Sequence, residues 1–153
     1  MYQFKNEVRV SWPINEVWTF FSNPNNLSLI TPAKMKLHTF SSLPNEVYPG
    51  LEILHRVSPI AGIPLLWKTR ITEVNAPFRF VDLQVSGPFS FWKHTHLFEA
   101  QGNETIITDI IDYRPPFGIL GRLTHNWVTL PMMNKMFQHR NRVIHSLLAS
   151  SSK

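Results

Sequence analysis

The sequence predicts an α+β fold in one domain spanning 1–153. A curved antiparallel sheet of about six or seven strands carries two short helices after its first strand and a long C-terminal helix across its concave face. Three observations predict it. Between residues 35 and 114, short runs alternate apolar and polar residues between Pro, Gly and Asn signals, as antiparallel strands with one covered face do. Beyond Pro115-Pro116 the apolar period changes from two to about 3.6. A sheet must also bury one face against another layer, and only the last apolar stripe is long enough to cover it.

Residues 2–11 read as a strand, with Phe4, Val8 and Val10 against Gln3, Lys5, Glu7 and Arg9, and Asn6 interrupting the apolar row. Pro13 suits the first turn of a helix, where its missing N–H removes no bond. Ile14, Val17, Trp18, Phe20 and Phe21 form a helical stripe that Ser22-Asn23-Pro24 ends, and a second short helix over 24–30 stops at Thr31-Pro32. Met35, Leu37 and Thr39 then alternate with Lys36 and His38. Leu51, Ile53, His55 and Val57 share one strand face, with Glu52 and Arg56 on the other. Leu65, Trp67, Thr69 and Ile71 oppose Lys68, Arg70 and Thr72, and Val81, Leu83 and Val85 oppose Asp82 and Gln84, which turns the apolar members inward.

Residues 87–121 organise the rest. Gly102-Asn103 suits a two-residue type II′ hairpin turn, which needs φ > 0 at its first position. Gln101 then pairs with Glu104, so His96 faces Asp109, His94 faces Ile111 and Trp92 faces Tyr113. Trp92, His94, His96 and Phe98 share a face with Ile107, Asp109, Ile111 and Tyr113. Lys93 and Glu99, on the opposite face, require water, so the Trp/His/Phe face points inward. Two imidazoles, a carboxylate and a phenol among aromatic and aliphatic side chains fit a lined pocket better than plain core. After this hairpin, Met133, Met136, Phe137, Arg140, Ile144, Leu147 and Leu148 give a helical stripe to about residue 150, with fraying over 150–153. Pro131 predicts a shorter first segment, 119 to about 127, and a break or kink before the proline.

The 153 residues suffice for a substantial core, and 43% hydrophobic content excludes global disorder. There is no apolar run of membrane-spanning length and no signal-peptide core, and cysteine is absent, which excludes thiolate chemistry and fits a cytoplasmic setting. The net charge of +5 comes without a basic run, so nucleic acid is not an expected partner, while a peripheral membrane or protein partner stays open. No Gly-rich phosphate loop, G-x-S-x-G or H-E-x-x-H occurs, which disfavours phosphoryl transfer, Rossmann hydride transfer and serine hydrolysis. His94 and His96 can share an ion, with His55 as a third ligand. Nothing else has ligand spacing, so no metal and no cofactor is assigned.

The element order, Pro13-x-x-x-Val17-Trp18-x-Phe20 and Asn23-Pro24-x-x-Leu27 resemble the START/Bet v1-like superfamily, also called SRPBCC. Gly87-Pro88-Phe89-x-x-Trp92-x-His94-x-His96-x-Phe98, followed by Thr105, Asp109, Tyr113 and Pro116-x-Gly118-x-Leu120-Gly121, resembles its cyclase/dehydrase-like ligand-binding branch. Relatives of that branch occur alone or joined to an epimerase-like domain of cell-division inhibitors. The resemblance covers nearly the whole chain. Thr129-Leu130-Pro131 departs from it, because relatives tend to carry a more charged, uninterrupted helix there. The resemblance implies a helix-grip fold with a cavity for hydrophobic ligands. It implies no single chemistry, since members transport lipids, bind hormones, act as enzymes or assist partners.

The leading expectation is a hydrophobic or amphipathic small molecule bound between the long helix and the sheet. Trp67, Val81, Leu83, Trp92, Phe98, Tyr113, Met133, Met136 and Phe137 would form its apolar wall, and His55, His94, His96 and Asp109 would orient a polar group. A second expectation is a polyketide cyclase or dehydratase, with His96 as general acid or base, Asp109 as its orienter and Tyr113 as donor to a developing oxyanion. A third is a partner-binding accessory module. Arg140, beside the apolar stripe, is expected to snorkel or to form a salt bridge rather than to meet a ligand carboxylate or phosphate at the cavity mouth.

Overall fold

The computed structural model describes residues 1–59 and 61–151, with side chains described as far as residue 147. β1 (Tyr2–Val10) is followed by α1 (Ile14–Phe21) and two 3₁₀ segments, Pro24–Ile30 and Ala33–Met35. The strands β2 (His38–Thr39), β3 (Glu52–Val57), β4 (Leu65–Asn75), β5 (Arg79–Ser86), β6 (Phe91–Gln101) and β7 (Glu104–Arg114) come next. The chain ends in α2 (Gly118–Thr124) and α3 (Thr129–Ser151). The seven strands form one curved antiparallel sheet in the order β1-β7-β6-β5-β4-β3-β2. The first and last strands are therefore neighbours, and consecutive hairpins supply the rest. Among the described residues no helix is long and apolar enough to cross a membrane.

The central hairpin has the expected register: Gln101 pairs with Glu104, His96 with Asp109, His94 with Ile111 and Trp92 with Tyr113. Gly102 has φ +62° while Asn103 stays at negative φ, as a type II′ turn requires. The strand expected from Met35, Leu37 and Thr39 shrinks to two residues. Lys36 adopts a left-handed backbone, φ 49°, which breaks the extended run before His38. The helical break falls at residues 125–128, and Pro131 sits in the first turn of α3, where its missing N–H removes no intrahelical bond. Fraying expected over 150–153 falls largely outside the described residues, as does the side chain of Leu148.

Two apolar clusters fill the concave side. One packs Val17, Trp18 and Phe21 of α1 against Phe80, Phe98 and Ile107 of the sheet and Ile144 of α3. The indole N–H of Trp18 donates to Glu46 Oε1 at 2.9 Å, so the largest side chain of α1 is buried with its polar atom satisfied. The other packs Met133 and Phe137 of α3 on Phe4, Trp92, Ile111 and Tyr113. The helix thus rests mainly on the β1-β7-β6 side of the sheet.

Gly102→Ala is expected to lower stability by about 1–2 kcal/mol in urea denaturation. Beyond the adjacent residues of the turn no atom lies within 4 Å of where the added Cβ would stand, so the backbone conformation carries the cost. An unchanged midpoint would contradict the assigned turn.

Candidate functional site

Strand register lays two rows of side chains across the concave face. Phe80, His96, Asp109 and Asn6 are successive partners across β5, β6, β7 and β1, and Asp82, His94, Ile111 and Phe4 form the next row. The polar members bond diagonally, because neighbouring rows on one sheet face lie within reach of long side chains. His94 Nε2 donates to Asp109 Oδ1 at 2.9 Å, and His96 Nε2 lies 3.0 Å from Asp82 Oδ2. The sequence pairing of His96 with Asp109 is therefore right in register. Its hydrogen-bond partner, however, is Asp82; His96 Nδ1 only approaches Asp109 Oδ1, at 3.3 Å and out of alignment. The two imidazole centroids are 3.7 Å apart, and Phe80 stacks on His96 at 4.0 Å.

α3 closes the cluster from above. Arg140 Nη1 donates to Asp109 Oδ1 at 3.3 Å, so of its two expected roles the salt bridge is the one present. Asn6 donates to Asp109 Oδ2 at 3.4 Å and exchanges amide hydrogen bonds with Asn141 at 3.2 and 3.0 Å. Asn6 and Asn141 escaped assignment from sequence. The signal for Asn6 was its polar interruption of an apolar strand face.

Burial alone would raise the Asp109 carboxyl. The hydrogen bond from His94, the His96 ring and the Arg140 charge outweigh it and hold Asp109 well below the usual carboxylate range. Burial likewise works against Asp82, and His96 and His94 lower it. Burial opposes the His96 cation, but the Asp109 and Asp82 carboxylates raise its pKa above the usual imidazole value. His94 is lowered, first by burial and then by its neighbour His96. The cluster therefore holds two carboxylates, one guanidinium and one imidazole that favours its proton.

A cavity of about 180 Å³ adjoins this cluster, bounded by α3, strands β3–β6 and the Pro24–Ile30 segment. Its wall is mainly apolar, with Ile30, Ile53, Ile71 and Phe80 in it, and Asp82, His94, His96 and Arg140 at one end. Of the residues expected to line a site, His55, Trp67, Trp92, His94, His96 and Met136 do so. Burial lowers the pKa of His55, whose Nδ1 pairs with Thr39 Oγ1 at 2.9 Å. Asp109 stands behind the two histidines rather than in the wall. Phe98 belongs to the cluster under α1, and Met133 and Phe137 to the cluster under α3.

Val81 and Leu83 require a correction. Phe80 and Asp82 face the cavity, so their strand neighbours point to the other side of the sheet. The pairing of Phe80 with His96 and Asp82 with His94 sets this face, since a slip of one residue exchanges the two faces of a strand. Gln84 fixes the loop across residues 87–90 by donating to Phe89 O at 2.7 Å and accepting from Phe89 N at 3.3 Å. Tyr113 also stands elsewhere. Asn126 Oδ1 accepts from His125 Nδ1 at 2.9 Å, which leaves His125 Nε2 to accept the Tyr113 hydroxyl at 2.6 Å. Burial pushes the Tyr113 phenol up to about 12. Its proton is committed to His125, and it does not donate into the cavity.

No protein-family model and no curated protein matches the sequence. Solved structures match it over nearly its full length. Protein Ms6760 from Mycobacterium smegmatis superposes with a TM-score of 0.71 at 16% identity, covering 97% of this chain and 92% of that one. TTHA0849 from Thermus thermophilus gives 0.71 at 15% identity, covering 99% and 100%. A START superfamily protein from M. smegmatis gives 0.64 at 10% identity, covering 97% of each. Seven antiparallel strands curved around a C-terminal helix, matched to these structures, define a START-like helix-grip fold.

Asp109→Asn is expected to cost about 3–5 kcal/mol at neutral pH, because it leaves the Arg140 charge buried and unpaired. A carboxyl held below its unfolded value of 3.8 contributes stability above that value and loses it as pH falls through the lower, folded one. The gap between wild type and variant should therefore be constant near neutrality and close in acid. Denaturant midpoints measured across that range check it, and a gap independent of pH would contradict an ionised Asp109.

Proposed function

We propose that this chain binds a hydrophobic or amphipathic small molecule in the cavity between α3 and the sheet. One observation carries the reading: a mainly apolar chamber ends on polar groups that the protein leaves incompletely paired. Trp67 Nε1 and Arg140 Nε are buried without a hydrogen-bond partner among the described residues, and both residues line the cavity. An unmade bond of this kind costs about 1–3 kcal/mol, so an acceptor on a ligand recovers free energy there that an apolar group does not. The ligand class is therefore an apolar body with one acceptor end, such as a carboxylate or carbonyl. Half-buried Pro24, Asn26, Leu27 and Thr31 form the rim beside the 3₁₀ segment, and Met136 supplies an adaptable surface on the helix side. A START superfamily protein among the fold neighbours is in keeping with this reading.

Ile53→Phe tests it, since Ile53 is 5% exposed and faces the chamber. Anilinonaphthalene sulfonate, apolar with one anionic group, should bind the wild type and bind the variant at least about tenfold more weakly, while overpacking costs about 1–3 kcal/mol of stability. Native mass spectrometry of protein from its own host should show a non-covalent small molecule that the variant lacks. Equal probe affinity in both proteins, or a wild type that takes up neither probe nor host ligand, would overturn the proposal.

A further inference from the structure

His94 and His96 share one carboxylate behind them and another in front. Behind, His94 Nε2 and His96 Nδ1 lie 2.9 and 3.3 Å from Asp109 Oδ1. In front, His96 Nε2 and His94 Nδ1 lie 3.0 and 3.7 Å from Asp82 Oδ2. Asp109, facing Arg140 and Asn6, is an ionised acceptor, so His94 Nε2 carries the ring proton. His94 Nδ1 then turns a lone pair toward the Asp82 carboxylate, beyond hydrogen-bond reach. Two acceptors facing each other at 3.7 Å are an arrangement that a cation between them would stabilise.

The spacing suits such a cation. Asp82, His94 and His96 can each offer one ligand atom, all within 4.8 Å of one another, and all three residues line the cavity. Ligand atoms around a tetrahedral ion with bonds of about 2.0–2.1 Å stand roughly 3.4 Å apart, and the two distances to Asp82 Oδ2 bracket that value. Metal-bound histidines almost always turn their second nitrogen to a carboxylate or carbonyl, and Asp109 occupies that position for both rings.

We propose that Asp82 Oδ2, His94 Nδ1 and His96 Nε2 bind a divalent transition-metal ion of the zinc class, oriented by Asp109, with the remaining coordination position open to the cavity. Imidazole donors with a single carboxylate suit zinc or iron rather than magnesium or calcium. Binding displaces to solvent the proton that His96 Nε2 shares with Asp82. Two carboxylates, Arg140 and a divalent ion leave one positive charge, so the open position favours an anionic group, hydroxide or a carboxylate. His55, the third ligand suggested by sequence, is outside this group and bonded to Thr39.

The test uses the full chain, treated with chelator and titrated with Zn²⁺ against an indicator and with Co²⁺ by visible absorption. No organic ligand is needed, so the outcome is independent of the small-molecule proposal. One ion per chain is expected, with the ligand-field bands of a low-coordinate cobalt site. Asp82→Asn and His94→Gln should abolish the bands. Asp109→Asn should weaken zinc binding by about ten- to a hundredfold. His145→Gln, at an exposed position, should change nothing. A wild type without such bands, or bands that survive Asp82→Asn, would overturn the assignment. If Asp82→Asn does not fold, Asp82→Glu keeps the carboxylate and should shift the bands; unshifted bands would also overturn it.

Discussion

Asp109 is 1% exposed, and an isolated carboxylate buried so deeply would give up its charge. It keeps the charge because β6 supplies His94, α3 supplies Arg140 and β1 supplies Asn6, each with a donor on one of its two oxygens. Breaking any one contact leaves polar groups stranded in low dielectric, so the arrangement sets the relative positions of three elements. The guanidinium carbon of Arg140 lies 4.7 Å from the centre of the Phe137 ring, within cation–π range, which ties the polar contact to the apolar one a turn away. The Asn6–Asn141 amide pair adds a second link between the first strand and the last helix.

The cavity follows from where this anchoring occurs. α3 is held over β1, β7 and β6, where Met133 and Phe137 fill the space beneath it. Beside β3, β4 and β5 the chamber is bounded by Met136 and Arg140 of α3 and by the 3₁₀ segment at Pro24–Ile30. The result is a mainly apolar chamber with a hydrogen-bonded polar end. Met136 and Arg140, successive positions on one helix face, deliver an apolar contact and a charge to the same chamber.

That polar end brings two imidazoles, two carboxylates and a guanidinium together. The histidines are held between two carboxylates, which favours a proton or a cation there. Tyr113, the donor an acyl or oxyanion chemistry would have wanted, is turned away toward His125, whose ring stacks on Tyr2 at 3.8 Å.

Periodicity in the sequence determined the element order, the hairpin register and the inward face of Trp92, His94, His96 and Phe98, because alternation and turn chemistry are local properties. It also marked Asn6 and Arg140 as polar residues in apolar rows. Their partner could not be read, since they meet Asp109 across 103 and 31 residues of chain. The face presented by β5 was decided only by tertiary structure. Val81 and Leu83 look like the cavity-facing set and Asp82 like the solvated one, yet β5 pairs with β6 so that Asp82 stands opposite His94 on the concave face. Likewise, side chains on a common inward face divide between core and chamber according to where a helix touches a curved sheet. That depends on contacts between distant segments and leaves no mark on local pattern.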